Sequence, residues 1–439
     1  MKQKKMLIIA GIVLLILIFG IVFLLQDSEK PSQTDATDKA ERLVAYTTDQ
    51  KNIEKVTYRH KDEEFSIVLN GNNWIFDSEP DLPVSQPRAE GIAYDFAEIN
   101  VTEIVEENVT NIEKYGLEPA QTITTIGLKN GESVSFYVGS RVQGENRYYI
   151  RIGNENTVYV ADATQCETFL YNKQDLLALN LQTLSVDEIR AIRFERKDNQ
   201  SFCIERVPDS YAEEWIFTEP FGWGVDESVL SPKLLTFVTS VEAYNYVTDK
   251  TEAELGLDNP QVVLDTVMVD GTVHSLKVGN IDEESGNVAI KVDGIKYPAV
   301  VDLQIIQLTK LTKFDIIDKT VENADYNDIQ KVELSGELNV ELLYDVCQLN
   351  DTSISKETAI KLYSDICELK LDGNGTAVSG TPILTISYTY NNKQNKIFKI
   401  YKQDAYNYVI SLDDNAFFVI NRGTYLTWKQ QIEAYLVVD

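Results

Sequence analysis

Few residues in this chain stand at spacings that could do chemistry. Ser353-Ile-Ser-Lys356 has the S-x-x-K spacing of lysine-activated serine nucleophiles, but that chemistry also needs a Lys-Thr-Gly strand, and the chain has none. The same residues open a helical pattern, where a serine accepts a backbone N–H as cap, and the capping reading is adopted. Only two histidines occur, His60 and His274, and no G-x-S-x-G accompanies them, so a Ser-His-Asp triad has no support. Cys166, Cys203, Cys347 and Cys367 form no C-x-x-C pair, which excludes a structural zinc site. Cys347 and Cys367 fall in one stretch, either as buried thiols or as a disulfide. The acidic turns Asp282-Glu283-Glu284 and Asp413-Asp414-Asn415 lack the calcium loop that ends in Glu, and they read as solvated. No catalytic set, metal or cofactor is expected, and the chain is not expected to be an enzyme. Trp223, between Gly222 and Gly224, is the one aromatic placed to touch a partner or a glycan; the alternative is a local lid over the core.

Charge narrows the classes further. Across 439 residues, 69 acids oppose 40 bases, for a net charge of −29. Phosphate binding needs a basic face, so a nucleic-acid partner is excluded. An anionic membrane surface would repel such a chain as well. With 44% hydrophobic residues a real core can form, and 23 Tyr and 16 Phe favour strands.

The first residues carry Lys2, Lys4 and Lys5, and Met6 to Leu25 then runs without a polar side chain. At about 1.5 Å per residue such a helix spans the roughly 30 Å hydrocarbon layer. The expectation is an uncleaved anchor over residues 1–25, a cleaved signal peptide being the competing reading. A polar stalk over 26–42 and an extracytoplasmic bulk follow from the anchor.

The elements that would position any site occur in tandem. Trp74-Ile-Phe returns as Trp215-Ile-Phe, Gly116-Leu-Glu-Pro119 as Gly256-Leu-Asp-Asn-Pro260, and Val138-Gly139 as Val278-Gly279, each 140 or 141 residues on. Trp74 and Trp215 read as core residues. Gly116 and Gly256 read as left-handed ends of short helical turns, with Pro119 and Pro260 preventing continuation. Expected modules cover 43–184, 185–319 and a degenerate 320–439, which lacks the Trp-Ile-Phe element. Each runs strands, helix, strands and a closing helix; Ser231-Pro232 is the expected start of the second module's helix. This order implies an α+β fold of mostly antiparallel sheets with packed helices, after one transmembrane helix.

The tandem Trp-Ile-Phe strands, the Tyr-Gly-Leu-x-Pro turn and the Val-Gly strand ends resemble the bacterial domain of unknown function 4340 family. The resemblance covers residues from about 50 to 320. It implies envelope proteins associated with ABC-type transporters related to gliding-motility systems, and it assigns no catalytic residues. The expected function is therefore a membrane-anchored extracytoplasmic scaffold or accessory subunit of a transport complex, with an integral membrane permease as partner. Binding of a cell-envelope polymer is the alternative, with Trp223 as the contact.

Overall fold

Alternation of apolar and polar residues builds the strands. In Thr122–Leu128, residues Thr122, Thr124, Ile126 and Leu128 are buried and the residues between them are not, the period of two of a half-buried strand. Leu384–Tyr390 repeats it with Leu384, Ile386, Tyr388 and Tyr390 inward.

The computed structural model describes residues 43–437 apart from 62, 199, 208–213, 283–285, 413 and 415. They fall into two units, one drawn from 43–52, Tyr94–Thr125 and Ser133–Leu170, the other from Ile53–Ala93, Ile126–Glu132 and 171–437. The expected first module is divided between the units, and the other two lie wholly in the second.

Within the second unit, Ile189–Arg196, Phe202–Arg206 and Trp215–Glu219 form one antiparallel meander. Ile189–Arg196 pairs on its other side with Val262–Met268. That strand leads a second meander through Val273–Asp282, Asn287–Val292 and Ala299–Asp302. The third module repeats the plan. Ile329–Gly336 pairs with Val340–Leu343 on one side and Leu384–Tyr390 on the other. Asn395–Lys402, Asn407–Leu412 and Ala416–Asn421 complete its second meander. The strand without a Trp-Ile-Phe motif is still present, cut to Gln348–Leu349. Of the first module, Ile53–Arg59, Glu64–Asn70 and Asn73–Phe76 form the first meander in the second unit. Ser133–Arg141, Arg147–Ile152 and Thr157–Asp162 form the second meander in the first unit.

One turn recurs in all three modules. The N–H of Glu132 donates to Asn130 Oδ1 at 3.0 Å, that of Thr272 to Asp270 Oδ1 at 2.8 Å, and that of Gln394 to Asn392 Oδ1 at 2.9 Å. An Asx side chain closing its own turn is the local chemistry that makes Asn and Asp turn residues.

The helices start where side chains satisfy free N–H groups. Ser355 caps Lys356–Cys367 by accepting from the Thr358 N–H. The second module differs from expectation. Its helix begins at Glu227, capped by Asp226, which accepts from the Ser228 N–H. Ser231 and Pro232 lie inside it, in a π turn over Ser231–Leu235. Pro232 has no N–H to donate, and a widened turn accommodates the missing bond. The expected closing helix of the first module is broken into Ala163–Cys166, Glu167–Leu170 and Gln174–Leu176.

The segments between modules are paired on both sides. Val84 bridges Leu177, while Asn180–Thr183 pairs with Ser240–Glu242 of the second module. This strand lies upstream of the expected boundary at 184/185. Next, Val225 bridges Ile317 and Thr320 bridges Lys370. Residues 177–183 and 317–321 therefore pair with elements of successive modules, the first through a bridge and the strand Asn180–Thr183, the second through two isolated bridges.

The membrane expectations are corrected. Among the described residues no helix is long and apolar enough to cross a membrane. Gln86–Ala97, Lys356–Cys367 and Arg422–Glu433 each have 12 residues, about 18 Å against a hydrocarbon layer of roughly 30 Å. The anchor expected over 1–25 and the stalk over 26–42 lie outside the described residues. The fold is α+β, with large antiparallel sheets and packed helices, and no transmembrane helix among the described residues. The single-pass location, the membrane as partner and the anchored transport role find no support among the described residues.

Candidate functional site

The residues singled out by the repeat hold the fold. Trp74 and Trp215 are buried, at 4% and 3% exposure. Gln86, at the first position of its helix, clasps Trp74: its Oε1 accepts the Trp74 N–H at 2.7 Å and its Nε2 donates to the Trp74 carbonyl at 2.8 Å. The Arg206 guanidinium stands 4.9 Å over the Trp215 ring, a cation–π contact. Gly116 and Gly256 have φ of 67° and 71°, the left-handed region that glycine enters without steric cost. A Cβ on Gly116 would run into the Ser140 side chain, and one on Gly256 into Asn280. The Val-Gly pairs have a different cause. A Cβ on Gly139 or Gly279 would strike the carbonyl of Tyr115 or Leu255, so the strand lies directly against the preceding helical turn. Pro119 follows a cis peptide bond, and Pro260 lines a cleft described below.

Trp223 is not on the surface. It is 4% exposed, and its Nε1 donates to the Asp318 carbonyl at 3.0 Å. Its ring packs edge-on against Phe398 and Phe418 of the third module, with centroids 5.4 and 4.7 Å away. Phe221 adds a second edge contact to Phe418 at 5.4 Å. A partner or glycan has no access to this indole, which corrects the polymer-contact expectation. The insertion that carries Trp223 is a clasp between the second and third modules.

The connecting segment is also held by charge. Glu322 is buried at 2% exposure. Its Oε1 accepts the N–H groups of Asn323 and Ala324, both at 3.0 Å. Its Oε2 accepts the Tyr390 hydroxyl at 2.6 Å and meets Lys396 Nζ at 3.2 Å. A buried carboxylate is tolerated when it is paired and hydrogen-bonded in this way. Nothing in the sequence around Glu322 distinguishes it from the other acids.

The remaining chemical candidates are dispersed. His60 Nε2 lies 2.8 Å from the Tyr171 carbonyl, with its ring stacked near Tyr58 and Phe65. Ser353 is exposed on a two-residue strand, and Lys356 Nζ stands over the Tyr326 ring. All four cysteines are free thiols. Burial pushes Cys166 and Cys367 up to about 12, away from the thiolate form that reacts. Asp414 pairs with Lys399 at 2.6 Å; residues 283–285, 413 and 415 lie outside the described set. No group of three or more His, Cys, Asp or Glu that could hold a metal occurs among the described residues.

A cleft of about 750 Å³ opens on the second module beside Arg193, Glu195, Lys197, Cys203, Glu219 and Pro260. Arg193 faces Cys203 across the strand pair, and Lys197 Nζ donates to the Asn259 carbonyl at 2.7 Å. The volume suits a small ligand. Three cations, Arg193, Arg196 and Lys197, stand against two carboxylates, Glu195 and Glu219, and Cys203 has no hydrogen-bonded base among the described residues. Such a lining can hold a polar molecule, but it lacks the paired nucleophile and base of covalent catalysis. Neither residue type nor spacing marked it in the sequence.

No curated protein and no solved structure matches the chain. One family model does match, that of the Domain of unknown function (DUF4340), over residues 74–260. The matched stretch runs from the first Trp to Pro260, across the buried Trp74 and Trp215 and the left-handed Gly116 and Gly256, and it excludes the third module.

Proposed function

We propose that the chain is a non-catalytic tandem-repeat protein that holds a protein partner against a fixed array formed by its second and third modules. The observation that carries this reading is the double pairing of residues 316–321. That segment bridges Val225 at one end and Lys370 at the other. Trp223 and Glu322 fasten it from both sides. A fixed array favours binding because less conformational freedom is lost when the partner docks. The dispersed histidines, serine and thiols support a role without an activated nucleophile.

Crosslinking in cells tests the reading. A specific protein adduct is expected. Its yield should fall with Trp223→Ala, which loosens the array. It should persist when three charges of the 750 Å³ cleft are removed by Arg193→Gln, Glu195→Gln and Glu219→Gln. Substrate turnover that disappears with the cleft variants would overturn the proposal.

A further inference from the structure

Equivalent positions in the three modules allow one surface to be compared with two internal references. The hairpin of the second meander is the same in each. Its first strand ends at Leu128, Met268 or Tyr390, whose N–H groups donate to the carbonyls of Glu132, Thr272 and Gln394. The next residue is therefore Lys129, Val269 or Asn391, and the one after the turn is Ser133, Val273 or Asn395. The first and third modules present polar side chains there. The second presents valines, with Val269 at 67% and Val273 at 47% exposure. Val186, in the adjoining helical turn, is also exposed, at 37%.

Val269 lines a cleft of about 580 Å³ with Leu184, Asp187, Glu188, Met268 and His274, and Val186 and Val273 each adjoin lining residues in the sequence. The walls are held in place. Val269 N–H donates to the Glu188 carbonyl at 2.8 Å. The Arg206 guanidinium donates to the carbonyls of Val186 and Asp187 at 3.2 and 3.4 Å. Among the described residues the carboxylates of Asp187 and Glu188 have no ion pair. Asp270 closes its own turn and adds a third acid to the rim.

We infer that this end of the second module docks a protein segment carrying apolar side chains flanked by Lys or Arg. Exposed valines at positions that are polar in both sister modules supply the apolar contact. The acidic rim supplies charge complementarity, which selects a basic partner and repels an anionic lipid surface. The inference rests on the scaffold reading and names the chemistry of its partner.

The test uses the full chain and two labelled synthetic peptides, one of alternating Leu and Lys and one of alternating Leu and Glu, read by fluorescence anisotropy. The Leu/Lys peptide is expected to bind and the Leu/Glu peptide not to. Val269→Asn with Val273→Asn installs the third module's own residues and leaves the charge unchanged. It should weaken binding at least about tenfold, because two valine contacts are lost. Asp187→Asn with Glu188→Gln should weaken binding and reduce its salt dependence. Equal binding by the double-Asn variant would overturn the site, since attraction to the overall charge would then explain the signal. So would a self-association lost in that variant, or capture of the chain by anionic vesicles through these valines. A native partner crosslinked elsewhere would overturn this site and leave the scaffold standing; no partner at all would overturn the scaffold.

Discussion

The indole of Trp223 meets the ring of Phe418 edge-on, with centroids 4.7 Å apart and planes at 67°. The two residues belong to different modules, so this contact joins two sheets rather than filling one. Trp223→Ala should cost about 3–5 kcal/mol, as for other buried aromatics. The loss should be felt in both modules. Urea unfolding of Trp223→Ala is expected to separate into two transitions where the parent shows one for this pair. A single transition at the parent midpoint would contradict the clasp.

The third module pays for a sequence change in its hairpin. Lys393 has φ of 68° where the sister modules carry Gly131 at 85° and Gly271 at 88°. A side chain in the left-handed region costs roughly 1–2 kcal/mol, partly offset because glycine loses more freedom on folding. Lys393→Gly is therefore expected to stabilise by up to about 1 kcal/mol, read as a raised urea midpoint. A lowered midpoint would refute the strain.

Asp315 gives the fold a defined acid sensitivity. Burial raises its pKa, but the Thr312 hydroxyl and N–H and Lys233 outweigh that effect and hold it below the usual carboxylate value. A depressed folded-state pKa stabilises above the unfolded value, about 3.9, and the contribution is lost as pH falls through the folded value. Asp315→Ala should cost about 0.5–2 kcal/mol at neutral pH, as for a lost cap. The gap from the parent should narrow progressively below about pH 4. A gap independent of pH would exclude the charged cap.

Thiol labelling separates buried from accessible cysteines. Cys166, Cys203 and Cys367 are buried and Cys347 is half-buried. In native protein at mildly alkaline pH, Cys347 should react first, with the other three reacting only after unfolding. A protein with two reactive thiols after unfolding, rather than four, would reveal a bond between Cys347 and Cys367.

Much of the strand order was legible because it depends on local alternation and on turns such as Asn130-Gly131 and Asp270-Gly271. The recurrence of Trp74 as Trp215 located two copies of one core position. Other features depended on partners far along the chain. Trp223 looks like a loop aromatic until Phe398 and Phe418 are brought beneath it. Residues 316–321 carry no strand periodicity, because each pairs for only a residue or two with a different module. Ser231-Pro232 resembled a helix start, but Asp226 supplied an earlier cap and the proline was absorbed by a π turn. The exposed Val269 was visible as a residue, yet its meaning required the hairpins to be placed in register. A charged N-terminal flank and an apolar run suggested an anchor, and the described fold contains no such element.

Amide hydrogen exchange across residues 316–321 tests the fixed array most directly. Val321 N–H donates to the Leu369 carbonyl at 3.2 Å and Asp318 N–H to the Gly224 carbonyl at 2.9 Å. Protection of this segment should match that of the strand Ile329–Gly336 and should fall in Trp223→Ala. Exchange at the rate of an unstructured peptide in the parent protein would mean that the modules are joined by a tether, and it would contradict the scaffold.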